Sequence, residues 1–308
     1  MKFPTALSSL SVAQEFNCSL KGDSTINLTG VSEIHNVNEG DLIFVDHPKY
    51  YDKALKSKAS AIIIDKEVEV PQGKVVLITD QPFQVFNAIL KRYKPHSHFK
   101  DKQHSIDASA LIMPNVSIGK GVAIGAGSII HPNVIIYDGV QIGKNVIVQA
   151  GTVLGSNAFY YNKKNNNYQL MHSAGGLIIE DHVEIGALCS IDKGVTANTI
   201  IKGGSKLDNQ IQIGHDCVIE ENCLIAAQCG IAGCVTIQKN SVLWGQVGVT
   251  SGVTIGNNVV VLGQTAVTKS LAPDKIYSGD PAIPYRVNLK QKAAIKQLPD
   301  FLEGLKKK

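Results

Sequence analysis

The sequence predicts a mainly β protein, in which a parallel β-helix lies between a small N-terminal α/β domain and a C-terminal helical extension. Two observations predict this fold. Aliphatic residues recur at every sixth position through the middle of the chain, and the segments on either side lack that period. With 308 residues, 44% of them hydrophobic, the chain is long enough to bury a large core. The predicted domains are residues 1–98, 99–270 and 271–308.

The six-residue period covers three stretches, from Ile106 to Leu154, from Ile179 to Ile191 and from Ile201 to Val267. Neither an α-helix of 3.6 residues per turn nor alternating strands joined by hairpins produces this repeat. A coil with three short flat faces produces it, and one coil then contains about 18 residues. The period therefore predicts about eight stacked coils, with strands roughly 4.8 Å apart along the stack.

Two segments interrupt the period. Residues 156–176 are polar and aromatic and are too long for an ordinary connection, which predicts a functional loop. Residues 195–198, with the sequence Val-Thr-Ala-Asn, add four residues and predict a local bulge.

The flanking segments contain other patterns. Residues 59–65 and 74–80 are apolar runs typical of buried strands, whereas residues 48–58 and 81–93 are predicted to be helical. Residues 289–308 predict a basic helix that breaks at Pro299. Such a helix either is simply solvated or binds an acidic partner, and both interpretations stay open.

Composition excludes several classes of protein. The net charge of +4, without a basic stripe interleaved with aromatic residues, argues against a nucleic-acid partner. No apolar run approaches the ~18 residues that span a bilayer, so we expect no transmembrane segment. The N-terminus does not resemble a signal peptide, and the six cysteines form no Cys-x-x-Cys pair. We therefore expect a cytoplasmic protein with reduced cysteines.

His215 is the candidate catalytic residue. It ends a segment, residues 207–215, that places Asp208, Asn209 and Gln212 among its polar residues, a set that the repeat does not need. Histidine is the usual general base near neutral pH. Gly233 follows 18 residues later and should stack above His215, leaving space and a backbone N–H for a developing oxyanion. The alternative is that His215 is a polar turn residue.

A metal site is not predicted. A zinc ion held between the subunits of a β-helix protein needs three ligands at one level of the stack. His131 and His182 belong to different coils from His215, and no His-x4-His pair occurs.

The N-terminal domain contains a candidate nucleotide site. Phe44 and Tyr50 flank the sequence His47-Pro48-Lys49. Two aromatic rings on either side of a turn can enclose a nucleobase, because every base has a π-face.

With these motifs the sequence resembles the UDP-3-O-(3-hydroxyacyl)glucosamine N-acyltransferases of lipid A biosynthesis, which are hexapeptide-repeat acyltransferases. The resemblance covers nearly the whole chain and is carried by the N-terminal aromatic motif and by residues 183–194, 206–215 and 226–233. It implies that the β-helix is left-handed. It also implies that His215 takes a proton from the 2-amino group of the sugar, that Asp208 orients His215, and that Gly233 supplies the oxyanion donor.

The resemblance further implies the ligands and the assembly. Phe44 and Tyr50 would hold uracil, and the acyl donor would be acyl carrier protein, acting through its phosphopantetheine arm without any permanently bound cofactor. The enzyme would be a homotrimer with clefts between the β-helices, and its basic C-terminal helix would suit the acidic carrier. The other residues expected to contact substrate are His47, Lys49, Asn209, Gln212, Phe159 and His172.

Three positions depart from the family pattern. His47 replaces an asparagine, Asn157 begins the 156–176 segment where Asp is usual, and Gly252 replaces a second active-site histidine. Two alternatives follow. One is a paralogous hexapeptide acyltransferase that acts on another nucleotide amino sugar or acyl donor, and the other is a non-catalytic solenoid that only binds or scaffolds.

Overall fold

The computed structural model describes residues 1–34, 37–96, 104–164, 166–279 and 284–306. The predicted boundary between residues 98 and 99 lies outside this part of the chain. The fold is mainly β and consists of an N-terminal α/β domain, a parallel β-helix and a C-terminal helix.

The N-terminal domain is built on a six-stranded sheet of order β1-β3-β4-β5-β6-β2. Strands β3 to β6 are parallel, and β1 and β2 pair antiparallel at the two edges. The strands are β1 Lys2–Ser8, β2 Ser19–Gly22, β3 Asn27–Val31, β4 Asp41–Val45, β5 Ala61–Ile64 and β6 Val75–Ile78. The two predicted buried strands are thus confirmed as β5 and β6, whose residues are almost all buried.

Three helices and one short 3-10 helix complete this domain. They are α1 Ser9–Glu15, the 3-10 helix Pro48–Tyr50, α2 Tyr51–Leu55 and α3 Pro82–Tyr93. Both predicted helical segments are confirmed, although α2 ends at Leu55, before the end of its segment. Helix α3 begins at a proline, whose fixed φ suits the first helical position, and buries Phe83 and Phe86 beneath the sheet.

The β-helix has three faces, each a parallel sheet of eight or nine short strands. The first face comprises Ser105–Ile106, Ala123–Ile124, Gln141–Ile142, Gly176–Ile179, Asn198–Ile201, Val218–Ile219, Thr236–Ile237 and Thr254–Ile255. The second comprises Leu111–Ile112, Ile129–Ile130, Ile147–Val148, Glu184–Ile185, Lys206–Leu207, Leu224–Ile225, Val242–Leu243, Val260–Val261 and Ile276–Tyr277. The third comprises Ser117–Ile118, Ile135–Ile136, Val153–Ser156, Ser190–Asp192, Gln212–Ile213, Gly230–Ile231, Gly248–Val249 and Ala266–Val267.

Register follows the six-residue period. Ile213 pairs with Ile231, which pairs with Val249, so stacked partners are 18 residues apart along the chain. Inward-pointing side chains such as Ile213 and Cys217 are fully buried. This confirms the predicted eight or so coils and is consistent with the predicted left-handed β-helix. Strand Ile276–Tyr277 extends the second face beyond residue 270, the predicted end of this domain.

The 156–176 segment joins the N-terminal domain to the β-helix. It forms an antiparallel hairpin of Tyr161–Lys164 and Asn167–Leu170. The Asn162 side-chain amide donates to Asp46 at 2.8 Å, and the Asn87 amide donates to the Leu170 carbonyl at 2.9 Å. Residues on both sides of the hairpin are buried in the hydrophobic core of the N-terminal domain. The segment therefore fixes this domain beside the third face.

The C-terminal helix is α4, Tyr285–Lys306, and it continues through Pro299. The predicted break at Pro299 is thus wrong, because an interior proline removes one backbone hydrogen bond but does not always end a helix. Within the described part of the chain, no helix is both long enough and apolar enough to cross a membrane.

Candidate active site

His215 lies two residues beyond the carboxyl end of strand Gln212–Ile213, which belongs to the third face. It lines a cavity of about 1000 Å³. Its ring is mostly buried and meets the Tyr160 ring edge to face, with 5.7 Å between the centroids. Burial and nearby carboxylates raise the pKa of Tyr160, which keeps its hydroxyl protonated. The cavity is lined by Asn157, Phe159, Tyr160, Asp192, Gln212, Gly214, His215, Ile231, Ala232, Gly233, Cys234, Ser251 and Gly252.

Asp216 orients the imidazole of His215. His215 Nδ1 donates to Asp216 Oδ2 at 2.8 Å, which leaves Nε2 as the basic nitrogen. Burial alone would lower the pKa of His215, but the bond to Asp216 and the nearby carboxylates of Glu33 and Asp192 together raise it. His215 therefore has the arrangement of a general base whose other nitrogen is held by a carboxylate.

The Asp216 carboxylate is fixed by the four-residue insertion 195–198. The Val195 N–H donates to Oδ2 at 2.8 Å, and the Ala197 N–H donates to Oδ1 at 3.2 Å. The insertion, which the sequence suggested to be only a local bulge, thus supplies two of the three donors that the described residues direct at the Asp216 carboxylate.

Asp208 does not occupy the position expected from the family resemblance. Its side chain is exposed, accepts a bond from the Asn209 N–H at 2.7 Å and is absent from the cavity lining. Asp208 starts the turn before strand Gln212–Ile213, whereas His215 follows that strand, so a full face of the coil separates the two residues. In this chain the orienting carboxylate is Asp216, and the assignment to Asp208 is corrected.

Gly233 stacks against the imidazole of His215, which confirms the stacking predicted from the 18-residue coil. A Cβ at position 233 would lie 2.5 Å from His215 Nε2. The neighbouring Cys234 N–H donates to the His215 carbonyl at 2.8 Å and holds the two coils together. In the part of the chain that the structure describes, the Gly233 N–H is bonded to no acceptor. Gly233 thus lines the larger cavity with an unbonded backbone N–H, while its role with an oxyanion stays a prediction.

Glu33, a residue of the N-terminal domain, lies close to His215 and Asp216. It follows strand β3, and its backbone N–H donates to Thr196 Oγ1 in the insertion at 3.2 Å. Burial, and then the negative charge of Asp216, raise the pKa of Glu33 to about 7, although His215 opposes this shift. No local motif marks Glu33, because it meets His215 only after the two domains pack together.

A second cavity, of about 250 Å³, lies in the N-terminal domain next to the first. It is lined by Glu33, Ile34, Phe44, Val45, Asp46, His47, Tyr50 and Tyr160. Three of the predicted nucleotide contacts, Phe44, His47 and Tyr50, are therefore brought together. Lys49 is absent from the lining, and its Nζ lies 5.5 Å from the Tyr50 ring centroid. Because Tyr160 lines both cavities, it forms a common wall between them.

The remaining predicted contacts divide into two groups. Phe159, which is 84% exposed, and Gln212 both line the larger cavity. Asn209 instead accepts the Ala187 N–H at 2.7 Å, which stabilises a turn. His172 is only 5% exposed, and its Nε2 bonds the Lys94 carbonyl at 2.6 Å. Neither residue lines the larger or the smaller cavity, and in each of them one side-chain polar atom is bonded within the fold, so a substrate contact by Asn209 or His172 stays a prediction.

Two known family models match separate parts of the chain. Residues 25–92 match the profile of UDP-3-O-(3-hydroxymyristoyl) glucosamine N-acyltransferase, LpxD. Residues 123–156 match the bacterial transferase hexapeptide repeat. The first match covers strands β3 to β6 and contains both Phe44 and Tyr50, and the second covers part of the β-helix.

Curated relatives carry one common name, UDP-3-O-acylglucosamine N-acyltransferase. The protein from Campylobacter lari is 41% identical over 68% of this chain and 72% of its own length. The protein from Fusobacterium nucleatum is 40% identical over 94% of this chain and 95% of its own. The protein from Methylacidiphilum infernorum is 39% identical over 94% and 90%, respectively.

Among solved structures, the UDP-N-acetylglucosamine acyltransferase of Francisella novicida is similar with a TM-score of 0.53. It is 25% identical, and the match covers 64% of this chain and 71% of that one. With relatives near 40% identity along almost the whole sequence, the chain belongs to the UDP-3-O-acylglucosamine N-acyltransferase family and is an N-acyltransferase of lipid A biosynthesis.

Proposed function

We propose that this enzyme transfers a 3-hydroxyacyl chain from acyl carrier protein to the 2-amino group of UDP-3-O-(3-hydroxyacyl)glucosamine, with His215 as the general base. The observation that carries the proposal is the common wall at Tyr160. A uracil enclosed by Phe44 and Tyr50 in the smaller cavity would lead the attached sugar past Tyr160 into the larger cavity. The 2-amino group would then face His215.

In the proposed reaction the amine attacks the thioester carbonyl while His215 Nε2 accepts the proton that the nitrogen loses. Asp216 accepts the hydrogen bond from Nδ1–H and stabilises the imidazolium that forms. The Gly233 N–H donates to the oxyanion of the tetrahedral intermediate. The intermediate collapses to the amide and expels the phosphopantetheine thiolate, which takes the proton back from His215. Atoms and charges balance without a redox step.

Glu33 would accept the proton that the ammonium form of the sugar must lose before it can attack. An amino sugar near neutral pH is partly an ammonium ion, and it must lose one proton before its nitrogen can attack. The carboxylates of Glu33 and Asp216 lie beside His215 and would attract this cation. With a pKa of about 7, Glu33 is suited to accept the first proton, and His215 accepts the second during attack.

An apolar trough offers a site for the acyl chain. It has a volume of about 480 Å³ and shares Gln212, Ile231 and Ala232 with the larger cavity. Small residues stack along its floor, since Gly230 pairs with Gly248, and Gly248 pairs with Ala266. The absence of side chains at the two glycines leaves room for a hydrocarbon chain along the third face. Burial of each methylene there would contribute about 0.8 kcal/mol.

The proposal includes a homotrimer that binds the carrier protein. Large apolar side chains are exposed on the turns and faces of the β-helix, including Leu111, Leu188, Trp244 and Leu262, and association with other copies would cover them. Helix α4 exposes Lys290, Lys292 and Lys296, which suit an acidic carrier protein. The six cysteines are all free, which fits a cytoplasmic location.

Acyltransferases of this family use no permanently bound cofactor, and the proposed reaction requires none. A second candidate function is transfer to a different nucleotide amino sugar. It is favoured by His47, which lines the smaller cavity in place of the family's asparagine and presents a different set of hydrogen-bonding atoms.

A product assay tests these proposals. Purified enzyme is incubated with UDP-3-O-(3-hydroxyacyl)glucosamine and a panel of 3-hydroxyacyl carrier proteins, and the products are identified by mass spectrometry. We expect an amide product with a preferred chain length. Amide formation on another UDP-amino sugar in preference to this acceptor would support the second function. No amide with any pair of substrates would contradict both.

A further inference from the structure

Four side chains around His215 together offer nitrogen, oxygen and sulfur ligands. Glu33, His215, Asp216 and Cys234 each present one such atom, and these atoms all lie within 4.8 Å of one another. The four residues come from two domains, with Glu33 after strand β3 and the others on adjacent coils of the β-helix. Apart from a protonated His215, the cluster itself contains no positive charge.

The donor set fits zinc better than magnesium or calcium. Imidazole and thiolate ligands suit zinc, whereas magnesium and calcium prefer oxygen ligands alone. In a tetrahedral site, Zn–N and Zn–S distances of roughly 2.0 and 2.3 Å place ligand atoms about 3.3 to 3.8 Å apart. Atoms at the 4.8 Å limit of the cluster would therefore have to approach one another by about 1 Å. Side-chain rotation supplies such a movement most easily at Glu33 and Cys234.

The Asp216 carboxylate and the backbone of Cys234 are held in place. The Val195 and Ala197 N–H groups fix the Asp216 carboxylate, and the Cys234 N–H bonds the His215 carbonyl at 2.8 Å. With the bond from His215 Nδ1, they hold the Asp216 carboxylate against the imidazole and fix the backbone of Cys234 to the next coil. The site is also open to an ion, since His215 and Cys234 line the larger cavity and Glu33 lines the smaller one.

We infer that Glu33, His215, Asp216 and Cys234 form an inhibitory zinc site. On binding, the Cys234 thiol and the protonated fraction of Glu33 release their protons to solvent, and Zn²⁺ is ligated by the thiolate, the Glu33 carboxylate and His215 Nε2, with water as the fourth ligand, while Asp216 keeps the hydrogen bond from Nδ1–H. The ion then occupies the space of the substrate ammonium and engages the groups that would accept its protons. That zinc binds follows from the cluster alone, whereas its inhibitory effect rests on the proposed role of His215.

Cobalt(II) provides a probe that does not depend on catalysis, because a cobalt–thiolate bond gives a charge-transfer band in the near ultraviolet. The full-length enzyme without substrate is titrated with Co²⁺, and zinc is then added to displace it. We expect one Co²⁺ per chain, with a thiolate band that zinc abolishes. The Cys234→Ser variant should lose this band, and Glu33→Gln should bind at least about tenfold more weakly.

Cys18→Ser is the matched control, because Cys18 is a partly exposed free cysteine outside the cluster. This variant should retain the band. Thermal melting and gel filtration confirm that each variant folds and assembles as the parent does. A missing thiolate band in the parent, or a band that persists in Cys234→Ser, would overturn the zinc site.

Activity measurements then test the inhibitory effect. Added zinc should inhibit the parent in parallel with cobalt displacement, and the remaining activity of Cys234→Ser should need at least about tenfold more zinc for the same fractional loss. Zinc binding at Cys234 without any inhibition would overturn the inhibitory role and would contradict His215 as the base. A parent enzyme that binds zinc normally but shows no activity would refute only the proposed reaction.

Discussion

Replacement of Gly233 by alanine perturbs the contact between the backbone of one coil and the imidazole of the next. The added Cβ would lie 2.5 Å from His215 Nε2 and 2.8 Å from Cε1, closer than carbon and nitrogen atoms approach in folded proteins. Relief of the clash requires a shift of the ring by about 1 Å. Gly233 has no left-handed φ, so alanine adds no backbone strain there.

The expected result is a large loss of kcat in a folded enzyme. A misplacement of about 1 Å in a catalytic group costs on the order of 100-fold. The methyl group also crowds the Gly233 N–H, and loss of an oxyanion donor costs a further factor of the same order or more. We therefore expect kcat to fall at least about 100-fold, while the Tm and the oligomeric state stay close to those of the parent.

Gly245→Ala is the matched control. Gly245 also lies in a turn of the β-helix, but a Cβ there would meet its nearest neighbour, the Ala227 carbonyl oxygen, at an ordinary 3.4 Å. This variant should keep nearly full activity. Steady-state kinetics with saturating carrier protein and acceptor, together with thermal melting, distinguish the two. A folded Gly233→Ala enzyme within threefold of the parental kcat would refute the proposed geometry.

Three further predictions concern the partners of His215 and the apolar trough. Asp216 helps to raise the pKa of His215 above its usual 6.5, so kcat/KM should fall as the pH drops through that raised value. Asp216→Asn should move this acid limb of the pH profile to lower pH and reduce the maximal rate. An unmoved limb would argue against the pairing of Asp216 with His215. Glu33→Gln should lower kcat/KM by about tenfold or more at pH 7 in steady-state kinetics, in a variant whose Tm matches that of the parent; an unaltered kcat/KM would remove Glu33 from the reaction. Gly248→Leu should fill the trough and shift the preference in a donor panel towards shorter acyl chains, and an unchanged preference would place the acyl chain elsewhere.

The sequence period was sufficient to predict the stacking in the β-helix. Inward aliphatic positions repeat every six residues, so residues 18 apart must stack, and this alone placed Gly233 beside His215. The aromatic pair Phe44 and Tyr50 was predictable for a similar reason, since both residues lie close together in the chain at the end of strand β4.

The partners of His215 were less predictable. Asp216 follows His215 directly, and adjacent residues in an extended strand point to opposite faces. Here Asp216 has a φ of 55°, and this left-handed turn brings its carboxylate back to the imidazole. Glu33 and Tyr160 reach the site only through packing of the N-terminal domain and the 156–176 segment against the β-helix. Such contacts between distant parts of the chain leave no local pattern in the sequence.

The central claim is that His215 is the general base, and the single-turnover rate of amide formation by His215→Ala tests it most directly. Enzyme in excess over UDP-3-O-(3-hydroxyacyl)glucosamine is mixed with 3-hydroxyacyl carrier protein, and product is quantified by mass spectrometry. The account predicts a rate about 10² to 10⁴ times below that of the parent, with unchanged affinity for UDP. A rate within tenfold of the parent, in a folded variant that binds UDP normally, would contradict it.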